Sequence, residues 1–465
     1  MLYSSGLTRY RRRVSRLVNV GNSTIGGESS IRLQSMTNTS TRDIKKTVSQ
    51  CKRIIDAGAD FVRITAPGIK DAEILGEIKT KLNAECYTAP LIADIHYSTK
   101  AAELAALHVE KVRINPGNYV DNSNTGFMST EEYHQREIDN IKNRIAPLIA
   151  ICKKNNTAVR IGVNHGSLSK RIMDTHGDTP EGMAESAMEF LRICEELGFQ
   201  NIVVSMKASN TRIMVYANRL LMEKMMKENM DYPVHLGVTE AGEGEDGRIK
   251  SAVGIGAMLA DGIGETVRVS LTEAPEKEIP VARKIVDHFE NFANHPEIPE
   301  IKNYPINPYE YQRRKSRPVN GIGDENVPVV IGDISNKPEL DMHSLKDLGW
   351  QFNVGENTWK FDDNAADYLF IEAFKSFPRL PEHKGIIIPF GAWAKLSFAN
   401  QNIYPLFTTN NYLKYNKQID FLHFIIVEFK EITPELLARI KNDVTLVVIC
   451  KTSNYNGIAE QRRFI

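Results

Sequence analysis

The chain has 465 residues, a length that predicts about three domains of ordinary size, or one domain of about 250 residues with a partner domain. The composition, 42% hydrophobic and 25% charged, is that of a globular protein with a sizeable core. The 58 basic residues balance the 58 acidic residues, which excludes a general positive field for nucleic acid or an anionic membrane. No apolar run approaches the roughly 20 residues of a membrane span, so we predict neither nucleic acid nor membrane as a partner.

The N-terminal segment is basic, with five arginines before Glu28, the first acidic residue. A transit peptide has this character in part, but the interpretation that we favour is a solvated arm leading into a short strand.

Eight short strand-like segments follow and alternate with segments of helical periodicity. The predicted strands are 31–36, 61–65, 90–96, 111–115, 158–164, 201–207, 233–240 and 266–271. The predicted helices are 41–57, 71–82, 100–107, 180–197, 212–228, 249–260 and 277–289. This rhythm predicts an α/β fold with a (β/α)8 TIM barrel over residues 1–292. A doubly wound open sheet is the alternative, disfavoured because no Gly-x-Gly-x-x-Gly follows the first strand.

A polar stretch punctuated by prolines, residues 293–327, predicts a linker. Beyond it, residues 328–465 contain buried strand patterns at 329–331, 368–371, 385–389, 422–428 and 444–450, with a helix at 434–440. We predict a second α/β domain here, either barrel-like or incomplete, because the chain stops about fifteen residues after the last strand.

The cysteines are few and scattered, and no Cys-x-x-Cys occurs. They are Cys51, Cys86, Cys152, Cys194 and Cys450. This spacing argues against a disulfide scaffold and a zinc ribbon, and it leaves no compact thiolate set for an iron–sulfur cluster. A reduced, intracellular protein is predicted.

Four predicted barrel strands carry an arginine between β-branched residues. Because alternate residues of a strand face opposite sides, the β-branched residues face the helices and the arginines point into the barrel mouth. The basic residues in this position are Arg63, Arg113, Arg160 and Arg268, and Lys207 lies comparably. Only Asp94 and Glu240 are placed to neutralise these five cations, which predicts a ligand with two or more phosphates. Internal Arg–Asp pairs that hold the barrel together are the alternative.

Small and amide-bearing residues begin the loops after these strands, in the runs 115–118 and 164–167. Such loops bring backbone N–H groups to an anion. His96 is in phase with Asp94 and suited to donate to a ligand oxygen or to transfer a proton, and His235 also points inward. No His-x-His or His-Glu-x-x-His spacing exists, so we predict no protein-bound mononuclear metal.

Eight motifs occur in register between residues 14 and 286. They are Gln-Ser-Met-Thr-Asn-Thr at 34–39, Ala-Gly-Ala-Asp at 57–60, Ala-Asp-Ile-His at 93–96, Arg-Ile-Asn-Pro-Gly-Asn at 113–118, Arg-Ile-Gly-Val-Asn-His-Gly-Ser-Leu at 160–168, Ser-Met-Lys-Ala-Ser at 205–209, Leu-Gly-Val-Thr-Glu-Ala-Gly at 236–242 and Asp-Gly-Ile-Gly-Glu-Thr-Val-Arg-Val-Ser-Leu-Thr at 261–272. Together they resemble the 4-hydroxy-3-methylbut-2-enyl diphosphate synthase family.

The resemblance implies a TIM barrel that binds 2-C-methyl-D-erythritol 2,4-cyclodiphosphate, and a C-terminal domain with a [4Fe-4S] cluster held by three Cys and one Glu. It implies an oxidoreductase of non-mevalonate (MEP) isoprenoid biosynthesis that opens the cyclic diphosphate, with ferredoxin or flavodoxin as electron donor. The substrate-binding residues that it implies are Arg63, Arg113, Asn115, Asn118, Arg160, Asn164, Ser167, Lys207, Ser209, Arg268 and Ser270. Asp94 and His96 would line the polyol side, and Glu240 would lie near the bond that breaks, which makes these three the implied catalytic residues.

The implied cluster domain has no counterpart in these 465 residues, and residues 328–465 resemble the large domain that one subgroup inserts before it. We therefore expect a truncated chain that binds the cyclodiphosphate without reducing it and has no metal ligands of its own. The expected location is the cytoplasm, or the plastid for a plant protein. A homodimer and a cis-folded single chain both stay open. The alternative functions are a pterin-binding type of TIM-barrel transferase and a non-catalytic diphosphate-binding module.

Overall fold

The computed structural model describes residues 3–4, 9–119, 130–290, 292, 307–335, 345–372, 380–396 and 402–452. The chain divides into two compact units, Met1–Tyr311 and Gln312–Ile465. This division lies inside the stretch 293–327 that the prolines marked as a linker.

The first unit opens with an antiparallel hairpin of β1 (Val18–Val20) and β2 (Ser23–Ile25). Eight parallel strands follow. They are β3 (Arg32–Met36), β4 (Phe61–Thr65), β5 (Leu91–Asp94), β6 (Lys111–Ile114), β7 (Ala158–Asn164), β8 (Ile202–Lys207), β9 (His235–Leu236) and β10 (Thr266–Val267). Their hydrogen-bonded order is β8-β7-β6-β5-β4-β3-β10-β9, and a bridge from Val204 to Val234 joins the two edges. The predicted TIM barrel is confirmed.

Helices surround this barrel. They are α1 (Ile44–Asp56), α2 (Ile69–Ala84), α3 (Thr99–Ala105), α4 (Pro116–Tyr119), α5 (Thr130–Asn155), α6 (Lys170–His176), α7 (Pro180–Glu196), α8 (Thr211–Lys227), α9 (Gly244–Ala260) and α10 (Glu278–Glu290). A 3-10 turn, Pro275–Lys277, precedes α10. Local chemistry sets the ends of α7: the Thr179 side chain accepts a hydrogen bond from the Gly182 N–H, and Gly198 continues the chain at φ 64°.

The N-terminal segment packs on the barrel, so the predicted solvated arm is wrong from Arg13 onward. The Arg13 N–H donates to the Gly262 carbonyl at 2.8 Å, and the Arg16 guanidinium lies 4.0 Å from the centre of the Tyr232 ring. The hairpin then closes the barrel at the end where the strands begin. The hairpin residues Val18, Val20 and Ile25 share a fully buried cluster with first or second residues of barrel strands. Those strand residues are Phe61, Ile92, Ala158 and Val203.

Two strands are shorter than predicted: β9 and β10 contain two residues each. Single hydrogen bonds prolong their pairing, from the Thr239 N–H to the Ala208 carbonyl at 3.2 Å and from the Arg268 N–H to the Leu236 carbonyl at 3.0 Å. The backbone therefore continues along the barrel wall beyond β9 and β10, although the residues there do not form a regular hydrogen-bonded ladder.

The second unit contains a six-stranded parallel sheet and an antiparallel hairpin. Its strands are β11 (Ile331–Asp333), β12 (Trp350–Asn353), β13 (Thr358–Phe361), β14 (Tyr368–Phe370), β15 (Gly385–Pro389), β16 (Ile403–Thr408), β17 (His423–Glu428) and β18 (Leu446–Lys451). The parallel sheet runs β11-β14-β15-β16-β17-β18, while β12 pairs with β13. The helices are α11 (Phe390–Trp393), α12 (Thr409–Lys414) and α13 (Pro434–Asn442), with 3-10 turns at Lys346–Leu348 and Phe429–Glu431.

The predicted second α/β domain thus matches the observed sheet, whose sequential strand order is that of a barrel wall. None of the helices in the described part of the chain is long and apolar enough to cross a membrane.

Candidate active site at the barrel mouth

The predicted basic residues lie inside the barrel wall. Arg63 is on β4, Arg113 on β6 and Arg160 on β7, and each of the three is at most 8% exposed. Lys207 ends β8 at 5% exposure, and Arg268 directly follows β10. The four arginines each stand between buried β-branched residues, as the alternation in the sequence predicts, whereas Lys207 stands between Met206 and Ala208.

Asp94, the last residue of β5, is the anionic centre of this group. Its Oδ1 lies 3.2 Å from Arg113 Nη1, and its Oδ2 lies 3.6 Å from Arg63 Nη2 and 3.3 Å from His96 Nε2. Burial disfavours the charged form of Asp94, but the charges of Arg63 and Arg113 and the His96 hydrogen bond outweigh it and hold its pKa well below the usual range. Asp94 is therefore a fixed carboxylate that orients two arginines.

Arg113 is fixed by two further contacts. Its Nη2 donates to the Gly162 carbonyl at 2.8 Å and, in the amide orientation that satisfies both groups, to the Asn164 side-chain oxygen at 3.2 Å. A Cβ at Gly162 would lie 2.5 Å from Arg113 Nε. Gly162 is thus the position where the absence of a side chain makes room for the guanidinium.

Other basic groups keep unused donors. The Nε and Nη1 of Arg160 are buried without a hydrogen-bond partner among the described residues, and within that set the ammonium of Lys207 has neither a hydrogen bond nor an ion pair. Burial, reinforced by the charges of Arg63 and its neighbours, lowers the pKa of both groups well below their usual values. Burial likewise lowers the pKa of Arg63 to about 10, against the opposing pull of Asp94. Buried donors without a partner carry a free-energy cost, which an anion within hydrogen-bonding reach would relieve.

Arg268 has a partner that the sequence did not reveal. Its Nη2 lies 3.4 Å from Oε1 of Glu278, a carboxylate at the start of α10 that is 2% exposed. Oε2 of Glu278 accepts a hydrogen bond from the Ser35 hydroxyl at 2.7 Å, and its Oε1 accepts one from the Leu271 N–H at 3.1 Å. Ser35 and Glu278 are 243 positions apart, so no local pattern signals this contact.

The predicted amide and hydroxyl residues form a second cluster. Asn115 Nδ2 donates to Ser167 Oγ at 2.8 Å, and the Ser167 hydroxyl donates to Asn118 Oδ1 at 3.2 Å. A Cβ at Gly117 would lie 1.9 Å from the Ser167 carbonyl oxygen, so the loops after β6 and β7 approach each other where glycine is required. This contact brings the polar ends of two strands together.

Four predicted residues keep solvent-exposed surface. Glu240 is exposed at φ 51°, and no cation of the described chain is within ion-pair distance of its carboxylate. Ser209 is exposed and Ser270 is half-buried, with no side-chain hydrogen bond recorded for either within the described residues. His96 keeps 37% of its side chain exposed while it contacts Asp94.

Sequence reasoning missed a basic residue below the mouth. Lys111 starts β6, two residues before Arg113, so it faces inward in the same alternation, and its Nζ is buried with no partner among the described residues. His235, which was predicted to point inward, is fully buried; its Nδ1 lies 3.4 Å from Thr266 Oγ1 and its Nε2 has no described partner. The strand alternation that found Arg113 was sufficient to find Lys111.

The cysteines do not fit an iron–sulfur cluster. Burial raises the pKa of the Cys51, Cys152 and Cys194 thiols to about 12, which disfavours the thiolates that metals bind. Cys86 and Cys450 are exposed and belong to different units. Within the described residues, no group of three or more His, Cys, Asp or Glu side chains is placed to hold a metal ion.

The family model described as the GcpE TIM-barrel domain matches residues 15–283. A 4-hydroxy-3-methylbut-2-en-1-yl diphosphate synthase (flavodoxin) from Phocaeicola vulgatus is 44% identical over 459 residues, which cover 98% of this chain and 71% of the relative. The chain belongs to this synthase family. The synthase (flavodoxin) from Parabacteroides distasonis is 46% identical over 97% of this chain and 70% of its own length.

A plant member of the family is also similar. The synthase (ferredoxin), chloroplastic, of Oryza sativa subsp. japonica is 47% identical over 70% of this chain and 44% of its own length. The prediction of the family is confirmed, and the matches do not support the pterin-type alternative. The named synthases indicate an oxidoreductase family that takes electrons from flavodoxin or ferredoxin.

Proposed function

We propose that this chain is the substrate-binding part of a 4-hydroxy-3-methylbut-2-en-1-yl diphosphate synthase, and that its barrel mouth binds 2-C-methyl-D-erythritol 2,4-cyclodiphosphate. The observation that carries the proposal is the charge imbalance inside the barrel. Asp94 and Glu278 are the described carboxylates that contact the basic residues of the site. The basic residues at the mouth are five: Arg63, Arg113, Arg160, Lys207 and Arg268. A buried positive excess of this kind requires an anionic ligand.

The proposed binding roles follow from which donors remain unused. Arg160 and Lys207 would meet the phosphates directly, because their donors lack described partners. Arg63, Arg113 and Arg268 are already oriented by carboxylates and would present their remaining N–H groups. Guanidinium forks match phosphate oxygens in pairs, which favours a diphosphate over a single negative charge.

The polar residues around the basic group would hold the rest of the ligand. In this proposal, the cluster of Asn115, Asn118 and Ser167 donates to diphosphate oxygens, together with Asn164, Ser209 and Ser270. Asp94 and His96 would face the polyol, with the His96 ring held by the carboxylate at 3.3 Å. Glu240 would reach the bond that breaks from its exposed loop position, which requires the loop after β9 to move toward the mouth.

The reductive half of the reaction is proposed to depend on protein outside this site. A [4Fe-4S] cluster is proposed for the family's reaction, but the described residues do not fit one, so this chain's role is to bind and orient the substrate. Flavodoxin is the proposed electron donor, because the bacterial relatives carry it in their names. A cytoplasmic location is proposed because all five cysteines are free thiols. Dimer formation stays a prediction.

Calorimetric titration of the chain with the cyclodiphosphate tests the proposal. We expect saturable binding at one site per chain, which weakens as salt rises because charges form the site. The Arg160→Met variant should lose at least about tenfold in affinity, since it removes a charge-assisted contact of about 1.5–3 kcal/mol. Arg283→Met, an exposed arginine on α10 outside the mouth, is the matched control. Absence of binding, or equal loss in both variants, would contradict the proposal.

The same preparation tests whether this chain binds the cyclodiphosphate without reducing it. With dithionite as reductant and the cyclodiphosphate as substrate, the 465-residue chain is expected to bind without forming product. A pterin should produce no shift in the thermal unfolding temperature, whereas the cyclodiphosphate should raise it. Turnover by this chain alone would overturn the proposed dependence on further protein.

A further inference from the structure

A lysine below the mouth has no role in the contacts described so far. Lys111 opens β6 and is completely enclosed, with an exposed fraction of 0%. Its Nζ has no hydrogen-bond partner among the described residues. The Nζ lies over the face of the Phe61 ring, 4.6 Å from the ring centre. An aromatic face attracts a cation but replaces only a small part of its hydration.

The charged and titratable groups around Lys111 are mostly basic. Arg63 faces it from β4, Arg160 from β7 and His235 from β9, and Lys207 lies further along on β8. On β5, Asp94 is already shared by Arg63 and Arg113. Burial first, and then the charges of Arg160 and Arg63, hold the pKa of Lys111 well below its usual value. The ammonium form is therefore disfavoured both by dehydration and by repulsion.

We propose that Lys111 changes its protonation state when the ligand binds. It is uncharged while the mouth is empty, and it takes up a proton from solvent when a doubly charged cyclic diphosphate fills the mouth. This inference rests on the proposed function. The bound phosphates would neutralise Arg160 and its neighbours, which removes the repulsion that disfavours the ammonium. Arginines cannot supply this response, because they stay protonated under all ordinary conditions.

Lys111 is distinguished from Lys207 by its depth. Lys207 ends its strand at the mouth, whereas Lys111 begins its strand, two residues below Arg113. A ligand held by Arg113 and Lys207 would not reach Lys111, so Lys111 would act through the charges above it. It is a positioning residue in this sense, because it acts through the basic residues above it and does not touch the ligand.

Proton uptake on binding is the direct test. The cyclodiphosphate is titrated into the chain at pH 8 in buffers of different ionisation enthalpy. The ligand itself does not titrate there, because each phosphorus carries a single strongly acidic oxygen. We expect the wild-type chain to take up about one proton more than Lys111→Met. Lys384→Met, which removes a buried lysine of the second unit whose Nζ has acceptors at 3.1 and 3.3 Å, should match the wild type.

The outcomes separate the two proposals. Failure of the wild-type chain to bind the cyclodiphosphate would contradict the proposed function. Binding with the same proton uptake in the wild type and in Lys111→Met would overturn the inference about Lys111 and leave the proposed function intact.

A ligand-free measurement covers the case in which the variant binds poorly. If Lys111 is uncharged in the folded chain, the unfolded chain binds one more proton between the folded pKa and about 10.4. The free energy of unfolding then rises with pH across that window, and this slope is absent from Lys111→Met. We expect the urea unfolding of the two proteins between pH 8 and pH 10 to differ in slope by the equivalent of about one proton. Parallel slopes would show a charged Lys111 and overturn the proposal.

Discussion

Both units contain a parallel sheet with sequential strands, but they differ in the side chains that these strands bury. In the barrel, inward positions of β4 to β8 carry buried arginines, lysines and Asp94. In the second unit, the sheet is also parallel and sequential, yet the buried side chains of β15 are those of Ile386, Ile387 and Ile388. Isoleucines of that strand pack on both faces of the sheet, in separate apolar clusters.

This difference shows that strand order alone does not make a binding site. A parallel sheet is stable when its faces are covered by apolar side chains, as in the second unit. The barrel replaces part of that apolar interior with charges whose burial is costly without a ligand. Function therefore lies in the inward residues, while the topology only brings them together. The following variants test that contrast, from the largest expected effect to the smallest.

Asp94→Asn should have the largest effect, because it leaves Arg63 and Arg113 buried without their shared counter-charge. We expect a loss of about 3–5 kcal/mol in the free energy of unfolding. The pKa of Asp94 is depressed in the folded chain, so its contribution is present above the unfolded value of about 3.9 and is lost as pH falls through the folded value. Urea unfolding from pH 8 to pH 5 should therefore show a constant difference. Asp174→Asn, an exposed position on α6, is the control.

Arg113→Met should weaken cyclodiphosphate binding by about 100-fold or more, since one partner of a buried charge group is removed. The measurement is calorimetric titration, with circular dichroism to show that the variant is folded. The exposed Arg283→Met variant should bind like the wild type. Unchanged affinity of Arg113→Met would exclude Arg113 from the binding group.

Gly162→Ala tests the space that Arg113 occupies. The added Cβ would lie 2.5 Å from Arg113 Nε and 3.2 Å from Ser205 Oγ, so the guanidinium has to move. Crowding of this kind costs about 1–3 kcal/mol, and we expect roughly a tenfold loss of affinity with it. Gly391→Ala, where an added Cβ meets nothing within 4 Å, should change neither quantity. Equal affinity of Gly162→Ala and wild type would contradict this interpretation of the glycine.

Ile387→Val removes one buried methylene from the apolar sheet of the second unit. The expected loss is about 0.5–1.5 kcal/mol, measured by urea unfolding of that unit. Cyclodiphosphate affinity should stay at the wild-type value. A loss of affinity would contradict the assignment of binding to inward barrel residues alone.

Much of the barrel could be predicted because its signal repeats locally. The strands Phe61–Thr65 and Ala158–Asn164 begin and end where their alternation predicts. The strand Ile403–Thr408 was missed, because Pro405 within it is unusual for a strand between two neighbours. The helix Thr130–Asn155, which was not predicted, contains Pro147.

The site was predicted only as far as strand alternation reaches. Alternation gave the inward arginines and Asp94, and the motifs gave the polar loop residues. It could not give Glu278, whose contact with Ser35 spans 243 positions and forms only when the barrel closes. The conformation of the Glu240 loop at φ 51° also has no periodic signal. Distant contacts and loop geometry are set by the folded barrel rather than by local sequence.

The hairpin of β1 and β2 limits how water, ions and protons reach the interior of the barrel. Its valines and Ile25 belong to a cluster with no solvent exposure at the strand starts, so the described residues close the barrel at that end. Water, ions and protons that reach Lys111 have to enter by the same opening as the substrate. A bound diphosphate would cover that opening, so the proton that Lys111 is proposed to gain has to enter while the diphosphate is binding. The exchange of protons with the interior should therefore be fast before binding and slow afterwards.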